Sequence, residues 1–342
     1  MKFSLTSTAF SRLILLAVVL SMLLSTGCSV STSGSSSVTF DSAATQSAPA
    51  ADNKGTPDGV VEKIVIAGPG TPSSIPWILA AKKMNNVTVD IIENTSQANT
   101  AFLRGDIDVL VSGLSVGVDL YRNEAPVQIV NTSVNGMSFL VTYGEKVDNL
   151  RALKGQEIYV PFEGSPIEEA ISFLARQEGL VWGEDLKPVY SPFEASIALL
   201  KQGKAKAVVL PEPFVSLIEG QSGLFVSIDL YAVWNDVARS NDGYPQVAAF
   251  ARREWAESHK TELEEFNAAL IEAVDYVSNN PNEAVAAVKD SFKQPEPVLL
   301  KSVSRMHYLV LSGLEMKQSV SAYYKLIGKP LDDRFEDFYY LP

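Results

Sequence analysis

The sequence predicts an α/β fold of parallel strands with intervening helices. Strand-like and helix-like patterns alternate along the chain from residue 61 onward, which is the order typical of this class. Runs such as "IDVLVSG" (107–113) and "APVQIVNTS" (125–133) are apolar on both faces, as in strands that helices cover on each side. A unit of helix, glycine and strand also occurs twice, in "AFLRGDIDVLVSG" (101–113) and "ALLKQGKAKAVVLPEP" (198–213).

The first elements follow in order. "VEKIVIAGPG" (61–70) predicts a strand that runs into a turn, and "IPWILAAKKM" (75–84) predicts the helix after it. "NVTVDIIEN" (86–94) alternates between apolar and polar residues like a second strand. "TSQANTAFLRG" (95–105) predicts a helix that glycine ends.

A second α/β region begins near Phe139. Its clearest helix signal follows the predicted strand "EIYVPF" (157–162), because Ser165 stands at the N-cap and Glu168 three residues later, a capping box. After residue 255 the chain is predicted to be helical to its end, with His307 on a helix face.

Composition excludes several classes of function. The 342 residues are 46% hydrophobic and 20% charged, as in an ordinary globular protein. A net charge of −12 disfavours a nucleic-acid partner, because binding phosphates requires a basic face. The single cysteine allows neither an internal disulfide nor a cysteine-based zinc site, and we expect no metal or cofactor.

The N-terminus predicts an export signal. Lys2 and Arg12 precede the apolar run Leu13 to Leu24, which is too short to span a bilayer. "LLSTGC" (23–28) resembles a bacterial lipoprotein signal, so residues 1–27 would be removed and Cys28 would be lipidated; the alternative is an ordinary secretory signal. Residues 28–60 are rich in Ser, Thr and Ala and predict a flexible tether. The body would then be held on the outer, periplasmic face of the cytoplasmic membrane.

Five loops rich in small polar residues and proline are candidate parts of a binding site, since ligands bind at the carboxyl ends of parallel strands. These loops cover residues 68–77, 112–115, 131–136, 161–166 and 211–214. The candidate ligand-binding residues, which include one tyrosine from outside the loops, are Thr71, Ser73, Ser74, Trp77, Ser112, Gly113, Leu114, Ser115, Thr132, Asn135, Phe162, Glu163, Gly164, Ser165, Pro211, Glu212 and Tyr244.

Signatures of enzymes are scarce. "GPGTPS" (68–73) lacks the Gly-Lys-Ser/Thr of a P-loop and the third glycine of a dinucleotide site. The two histidines, His259 and His307, are not expected to contact a ligand, and we predict no catalytic residue.

A family resemblance rests on "LRGDIDVLVSG" (103–113), "LRALKGQEIYVPFEGS" (150–165) and "LLKQGKAKAVVLPEPF" (199–214), in this order. Together they resemble the substrate-binding lipoproteins of nitrate, sulfonate, taurine and thiamine-pyrimidine-precursor ABC importers. The resemblance implies a two-lobed type II periplasmic-binding-protein fold with two crossover strands between the lobes. Lobe 1 would comprise residues 61–138 and 246–342, and lobe 2 residues 139–245. It further implies a small-molecule ligand in the cleft, an ABC permease and an ATPase as partners, and a structural role for Glu212.

Two departures bear on the ligand. Lys206 stands where the family usually has an acid, and "LPEP" (210–213) lacks the aromatic residue often found before Glu-Pro. None of the five loops contains Lys or Arg, whereas a dedicated oxyanion site usually recruits arginine. Aromatic residues lie nearby in the sequence. We therefore expect a neutral heteroaromatic ligand, such as a pyrimidine vitamin precursor, with sulfonate or nitrate as the alternative.

Two other functions fit the same sequence. An enzyme on this fold, such as a pyrimidine-precursor synthase or an aromatic-acid dehydratase, is one, although the export signal and the absence of cysteine from the body disfavour the synthase. A surface lipoprotein that transports nothing is the other. Binding of one small metabolite would distinguish a transport receptor from an adhesin.

Overall fold

Two β-sheets organise the chain, and the computed structural model describes residues 62–342. These residues lie within one compact unit. The strands are β1 Ile64–Gly68, β2 Val87–Ile91, β3 Val109–Gly113, β4 Val127–Val134, β5 Ser138–Tyr143, β6 Glu157–Val160, β7 Lys187–Tyr190, β8 Ala207–Pro211, β9 Leu224–Asp229, β10 Val247–Arg252 and β11 Tyr308–Leu311.

Helices pack on both sheets, as the predicted class requires. Short 3₁₀ turns precede α1 and interrupt several loops. The α-helices are α1 Ile75–Ala81, α2 Thr95–Arg104, α3 Leu114–Arg122, α4 Pro166–Gln177, α5 Phe193–Lys201, α6 Phe214–Ile218, α7 Leu230–Ala238, α8 Arg253–Ser258, α9 Lys260–Asn279, α10 Pro281–Ala286, α11 Glu296–Val303 and α12 Gly313–Leu326.

The two sheets share one pattern of strands. The first has the order β11-β4-β10-β3-β1-β2, and the second has the order β7-β6-β8-β5-β9. In each sheet three neighbouring strands are parallel and the next is antiparallel to them. We call the first sheet with its helices the first lobe and the second sheet with its helices the second lobe. The α/β prediction is confirmed.

The repeated unit in the sequence forms equivalent parts of the two lobes. The first copy is α2, Gly105 and β3, and the second copy is α5, Gly203 and β8. Both glycines have positive φ, 90° and 68°, which is the backbone conformation that ends a helix. Because β3 pairs with β1 and β8 pairs with β6, the two units hold matching positions in their sheets.

The chain crosses between the sheets twice. The first crossing lies between β4 and β5, and the second lies between α7 and β10. At the second crossing Gly243 has a φ of 69°, and a Cβ there would lie 2.1 Å from the carbonyl oxygen of Asn135 in the first crossing. The crossings therefore pack against each other. The exact lobe boundaries given above stay a prediction.

Two sequence-based expectations are wrong. The loop expected at 131–136 begins later, because β4 includes the end of the predicted strand 125–133 and continues to Val134, and β4 pairs on both edges. Residues 308–311, expected in a helix, form β11, an edge strand whose apolar side chains suit the end of the first sheet. His307 accordingly precedes a strand.

The predicted signal, Cys28 and the tether lie outside the described residues. Among residues 62–342, no helix combines the length and the apolar character that are needed to cross a bilayer.

Candidate functional site

A cavity of about 180 Å³ lies between the two lobes at the ends of their strands. Residues of both sheets and of the helices that follow them form its walls, as expected for the carboxyl edge of parallel strands. It is lined by Ala67, Gly68, Pro69, Thr71, Ser73, Ile92, Thr95, Ala98, Leu110, Val111, Ser112, Gly113, Val116, Met137, Pro161, Phe162, Ser165, Pro166, Ile167, Phe193, Pro211, Phe214, Gln246 and Val247.

The wall from the first lobe carries most of the polar side chains of the cavity, together with aliphatic residues such as Leu110 and Val111, and we call it the polar wall. The hydroxyls of Thr71 and Ser73 lie 2.7 Å apart in the turn after β1, and Ser112 ends β3 beside them in the cavity wall. The Ser74 hydroxyl instead donates to the carbonyl oxygen of Pro69 at 2.6 Å. Three hydroxyls of this wall therefore remain next to the cavity as hydrogen-bonding groups.

Apart from Ser165, the wall from the second lobe is apolar, and three of its residues are phenylalanines, so we call it the aromatic wall. Phe193 and Phe214 begin α5 and α6, and their ring centroids lie 5.0 Å apart. Phe162, in the loop after β6, keeps 48% of its surface exposed at the edge of the cavity. Exposure of so large an apolar side chain next to a cavity is typical of a binding site.

A buried carboxylate fixes the loop that carries Phe162. Glu168, in the first turn of α4, accepts hydrogen bonds from the Gly164 backbone N–H at 2.6 Å, the Trp182 indole at 3.0 Å and the Tyr190 hydroxyl at 2.8 Å. Burial, followed by the bond to Glu168, raises the pKa of Tyr190 well above its usual range, so this phenol stays a donor.

The predicted capping box is present with one change of partner. The Ser165 hydroxyl accepts from the Glu168 N–H at 3.1 Å, as the pattern requires. The Glu168 carboxylate reaches the N–H of Gly164 and not that of Ser165. The cap therefore also orders the cavity loop.

Gln246 joins the two crossings at the cavity. Its Oε1 accepts from the Met137 N–H at 3.3 Å, and its Nε2 donates to the Ser138 hydroxyl at 2.8 Å. Its own carbonyl accepts from the Leu114 N–H at the start of α3 at 3.1 Å. Gln246 therefore lines the cavity and links the two crossings through hydrogen bonds. The sequence analysis did not predict it as a site residue.

The lobes approach each other across the cavity at Gly113 and Pro166. A Cβ on Gly113 would lie 3.1 Å from Cγ of Pro166, across the cleft. Gly113 has a φ of −61°, which any residue can adopt, so the demand at this position is for space. The N-terminal ends of α3 and α4 therefore meet at the cavity.

The structure brings seven of the predicted site residues to the cavity wall. Their part in ligand binding stays a prediction. They are Thr71, Ser73, Ser112, Gly113, Phe162, Ser165 and Pro211.

The other ten predicted residues do not line the cavity. Trp77 is 1% exposed and stacks on Phe266 at 5.3 Å in the core of the first lobe, and Tyr244 is fully buried beside Trp234. Asn135 donates to the Asp242 carbonyl at the crossings. The remaining seven are the buried Ser74, Leu114, Ser115, Thr132 and Glu212, the half-buried Gly164 and the exposed Glu163.

Glu212 is buried and engaged with the protein itself. Its carboxylate accepts from the Ser216 N–H at 3.1 Å and from the Ser302 hydroxyl at 3.0 Å, and Arg305 lies 3.4 Å away. All of these partners are protein groups. A structural role for this residue, which the family resemblance implied, is consistent with these contacts.

The lining is uncharged along its whole described extent. Among residues 62–342, no Lys, Arg, Asp, Glu or His lines the cavity. No group of His, Cys, Asp or Glu that could hold a metal ion occurs in that range. The side chains that the cavity wall offers for hydrogen bonding and packing are therefore hydroxyls, one amide, aliphatic groups and aromatic rings.

Comparison with known proteins identifies the family. A sequence model of the NMT1-like family matches residues 78–289, more than half of the chain. The chain belongs to the NMT1-like family. No curated protein sequence is significantly similar to it.

Solved structures share the fold of this family member. An ABC transporter protein from Parabacteroides distasonis is 19% identical over 81% of this chain and 98% of its own, with a TM-score of 0.66. The periplasmic aliphatic sulphonate-binding protein SsuA from Escherichia coli is 18% identical over 82% and 92%, with a TM-score of 0.67. A Candida albicans gene product described as having the generic periplasmic binding protein fold is 12% identical over 82% and 96%, with a TM-score of 0.58. The NMT1-like chain therefore has the two-lobed periplasmic-binding-protein fold that its sequence predicted.

Proposed function

We propose that this protein is the extracytoplasmic solute-binding component of an ABC importer. It captures one small molecule in the cavity between its lobes and delivers it to a permease and ATPase. The observation that carries this proposal is the cavity of about 180 Å³ to which both lobes contribute a wall. Its family and the ABC-importer proteins that share its fold support the same function.

The cavity lining favours binding over catalysis. General acid–base catalysis needs a titratable side chain within hydrogen-bond reach of the reacting atom. The described lining offers hydroxyls and Gln246 but no His, Asp, Glu or Lys. We therefore propose that the ligand is enclosed and released unchanged, with relative movement of the lobes as the conformational step.

The ligand is proposed to be uncharged and partly aromatic, such as a pyrimidine vitamin precursor. A flat apolar body fits against Phe193 and Phe214, and its polar groups can bond to the hydroxyls of the opposite wall. Since no cationic side chain among the described residues lines the cavity, an anion would lack a charged partner there.

A sulfonate or nitrate is the second candidate, favoured by the N-termini of α3 and α4 at the cavity, which attract anions. Two observations weigh against it. The Leu114 N–H is already bonded to the Gln246 carbonyl, and the Glu168 carboxylate already occupies the N–H of Gly164 beside α4. The negative charge of Glu168 in the first turn of α4 would also repel an anion there.

Thermal-shift measurements with a defined panel test the ligand class. The panel is a hydroxymethylpyrimidine, ethanesulfonate and nitrate, each titrated against the full chain at low and high salt. We expect stabilisation by the pyrimidine that salt barely changes, because screening acts on charges. Stabilisation by sulfonate or nitrate alone would select the second candidate, and the absence of any shift across a wider metabolite panel would contradict receptor function.

The membrane anchor is a separate proposal that rests on Cys28, which lies outside the described residues. We propose that this residue is lipidated and holds the protein on the outer face of the cytoplasmic membrane. Cys28→Ala should release the protein from isolated membranes into the soluble fraction. Retention of the variant on membranes would contradict the anchor without affecting the ligand proposal.

A further inference from the structure

Besides the two crossings, the lobes are joined by the C-terminal segment, residues 296–329. Its two helices, α11 and α12, each pack on the first lobe and also contact a buried carboxylate of the second lobe. These carboxylates are Glu212, which precedes α6, and Glu169, in the first turn of α4.

The contact through α11 begins in the core of the first lobe. Leu299 and Val303 are buried in one cluster with Ile75 of α1. On the same helix Ser302 donates to Glu212 at 3.0 Å, and Arg305 follows one turn later. The segment therefore links the first-lobe core to a second-lobe carboxylate.

Arg305 extends this contact over the second lobe. Its guanidinium lies 3.4 Å from Glu212 and 2.5 Å from Glu219, and it also stands over the ring of Phe139 at 5.8 Å. Lys301 forms a further ion pair with Glu219. Glu212 has no exposed surface, so removing its partners would leave a buried carboxylate without compensation.

The contact through α12 has the same design. On the first-lobe side the hydroxyls of Ser321 and Tyr339 lie 3.1 Å apart, and Tyr339 bridges to Ile129 of β4. On the second-lobe side the Tyr323 hydroxyl and the Lys329 ammonium each donate to Glu169 at 3.1 Å.

Additional contacts make this second connection firm. Arg176 of α4 donates to the Ile327 carbonyl at 2.8 Å, and the Tyr323 ring packs against Trp234 of α7 at 5.5 Å. Glu169 is 5% exposed, so its hydrogen bonds form out of water and define one arrangement of the two helices.

Both carboxylates stand next to the cavity wall. Glu212 lies between Pro211 and Phe214, which line the cavity. Glu169 follows the lining residues Ser165, Pro166 and Ile167 on α4. The parts of the second lobe that would contact a ligand are thus the parts that the C-terminal segment holds.

We propose that the C-terminal segment is a brace that sets the angle between the lobes, with Glu169 and Glu212 as its two buried carboxylate attachment points. Arg305 and Tyr323 are then positioning residues for the site, although neither lines the cavity. This inference goes beyond ligand capture itself, and its test needs no ligand.

A distance measurement across the cleft tests the brace. Spin labels are placed at Ser96→Cys and Glu163→Cys, exposed positions next to the lining residues Thr95 and Phe162, in full chain carrying Cys28→Ser. Cys28 is the sole cysteine, so only the two introduced thiols react. Double electron–electron resonance spectroscopy then measures the distribution of distances between the two spin labels, one in each lobe.

We expect Arg305→Met combined with Tyr323→Phe to lengthen and broaden this distribution relative to the parent protein. Tyr323→Phe alone, which keeps the ring and removes only the hydroxyl, should shift it in the same direction by less. The control is Lys83→Met, which removes an exposed ion pair with Glu272 inside the first lobe and should leave the distribution unchanged.

Superimposable distributions for the parent and for both brace variants, with unchanged circular dichroism, would overturn the proposal. If the double variant does not fold, the Tyr323→Phe result decides alone. A wider distribution in a protein that binds none of the tested metabolites would support the brace and contradict only the receptor function.

Discussion

The two walls of the cavity are built from equivalent elements but present different chemistry. The first lobe lines the cavity with Thr71 and Ser73 after β1 and with Ser112 and Gly113 at the end of β3, whereas the second lobe lines it with Phe193 and Phe214 at the starts of α5 and α6. The walls thus differ although their sheets share one strand pattern. From this difference we expect the first lobe to supply most of the hydrogen bonds to a ligand and the second lobe to supply the aromatic contact area.

This division has a consequence for affinity. Burial of aromatic surface contributes more to binding than a single hydrogen bond, because a hydrogen bond to the protein replaces one to water. We expect the second lobe to carry most of the affinity and the first lobe to carry most of the selectivity. Substitutions in the two walls should therefore differ in size and in kind.

The largest expected effect comes from the aromatic wall. Phe193→Ala combined with Phe214→Ala should weaken binding of the recognised metabolite by about 100-fold, equivalent to about 2.7 kcal/mol. Isothermal titration of the full chain measures it. The control is Phe225→Ala, a change at an exposed ring in the same lobe, and equal affinity in the double variant would assign the rings to packing alone.

The next effect tests whether the walls must approach each other. Gly113→Val should weaken binding by about tenfold, because its side chain would push against Pro166 across the cleft, and Gly113→Ala should have a smaller effect. Ala268→Val, on the exposed face of α9, is the control for the added methyl groups. Unchanged affinity in Gly113→Val would mean that the ligand binds without this close approach.

A smaller effect is expected at the polar wall. Ser112→Ala should lower affinity by about fivefold, near the value of one hydrogen bond of about 1 kcal/mol. It should also reduce discrimination between the metabolite and an analogue that lacks the bonded polar group, which competition titrations measure. If the variant weakens both compounds equally, Ser112 does not contribute selectivity.

The smallest expected effect is on thermal stability, and it concerns a stacked contact between the lobes at His307. The ring of His307, before β11, stacks on Tyr231 of α7 with centroids 3.4 Å apart. Burial lowers the pKa of His307 from its usual 6.5, although Asp229 acts in the opposite direction. As the pH falls, His307 is protonated in the unfolded chain before it is protonated in the folded protein. The folded protein therefore loses stability relative to the unfolded chain as the pH falls below the usual histidine pKa of 6.5.

Thermal melts between about pH 8 and pH 5 test this pH dependence. The wild type should lose melting temperature on acidification relative to His307→Phe, which keeps a stacking ring and cannot be protonated. The carboxylates are the same in both proteins, so their contribution to the pH dependence cancels in the difference between the two melting temperatures. A difference that stays constant with pH would show that His307 does not couple the lobe contact to protonation.

Local signals in the sequence predicted much of the fold. The serine cap of α4 and the glycines after α2 and α5 depend on neighbours within a few residues, and the structure confirms them. The repeated unit correctly indicated two similar lobes. In contrast, β11 was missed because four residues at a sheet edge carry little pattern of their own.

The candidate site was predicted less well, because it depends on contacts distant in sequence. Trp77 follows a loop that reaches the cavity, but its helix turns the indole toward Phe266. Gln246 carries no motif, and its importance comes from bonds to Met137 and Ser138, which are far away in the chain. Of the aromatic wall, the sequence placed Phe162 and Phe214 in candidate loops, but it missed Phe193, whose available signal is its place directly after "YSP" (190–192) at the start of a helix.

The central claim is that the cavity between the lobes holds one small uncharged molecule against its aromatic wall. Native mass spectrometry of the full chain, purified without added ligand, tests it most directly. We predict a bound small molecule that is retained by wild type and Phe225→Ala and lost from Phe193→Ala/Phe214→Ala. Equal retention of that molecule by the aromatic-wall variant would contradict the claim.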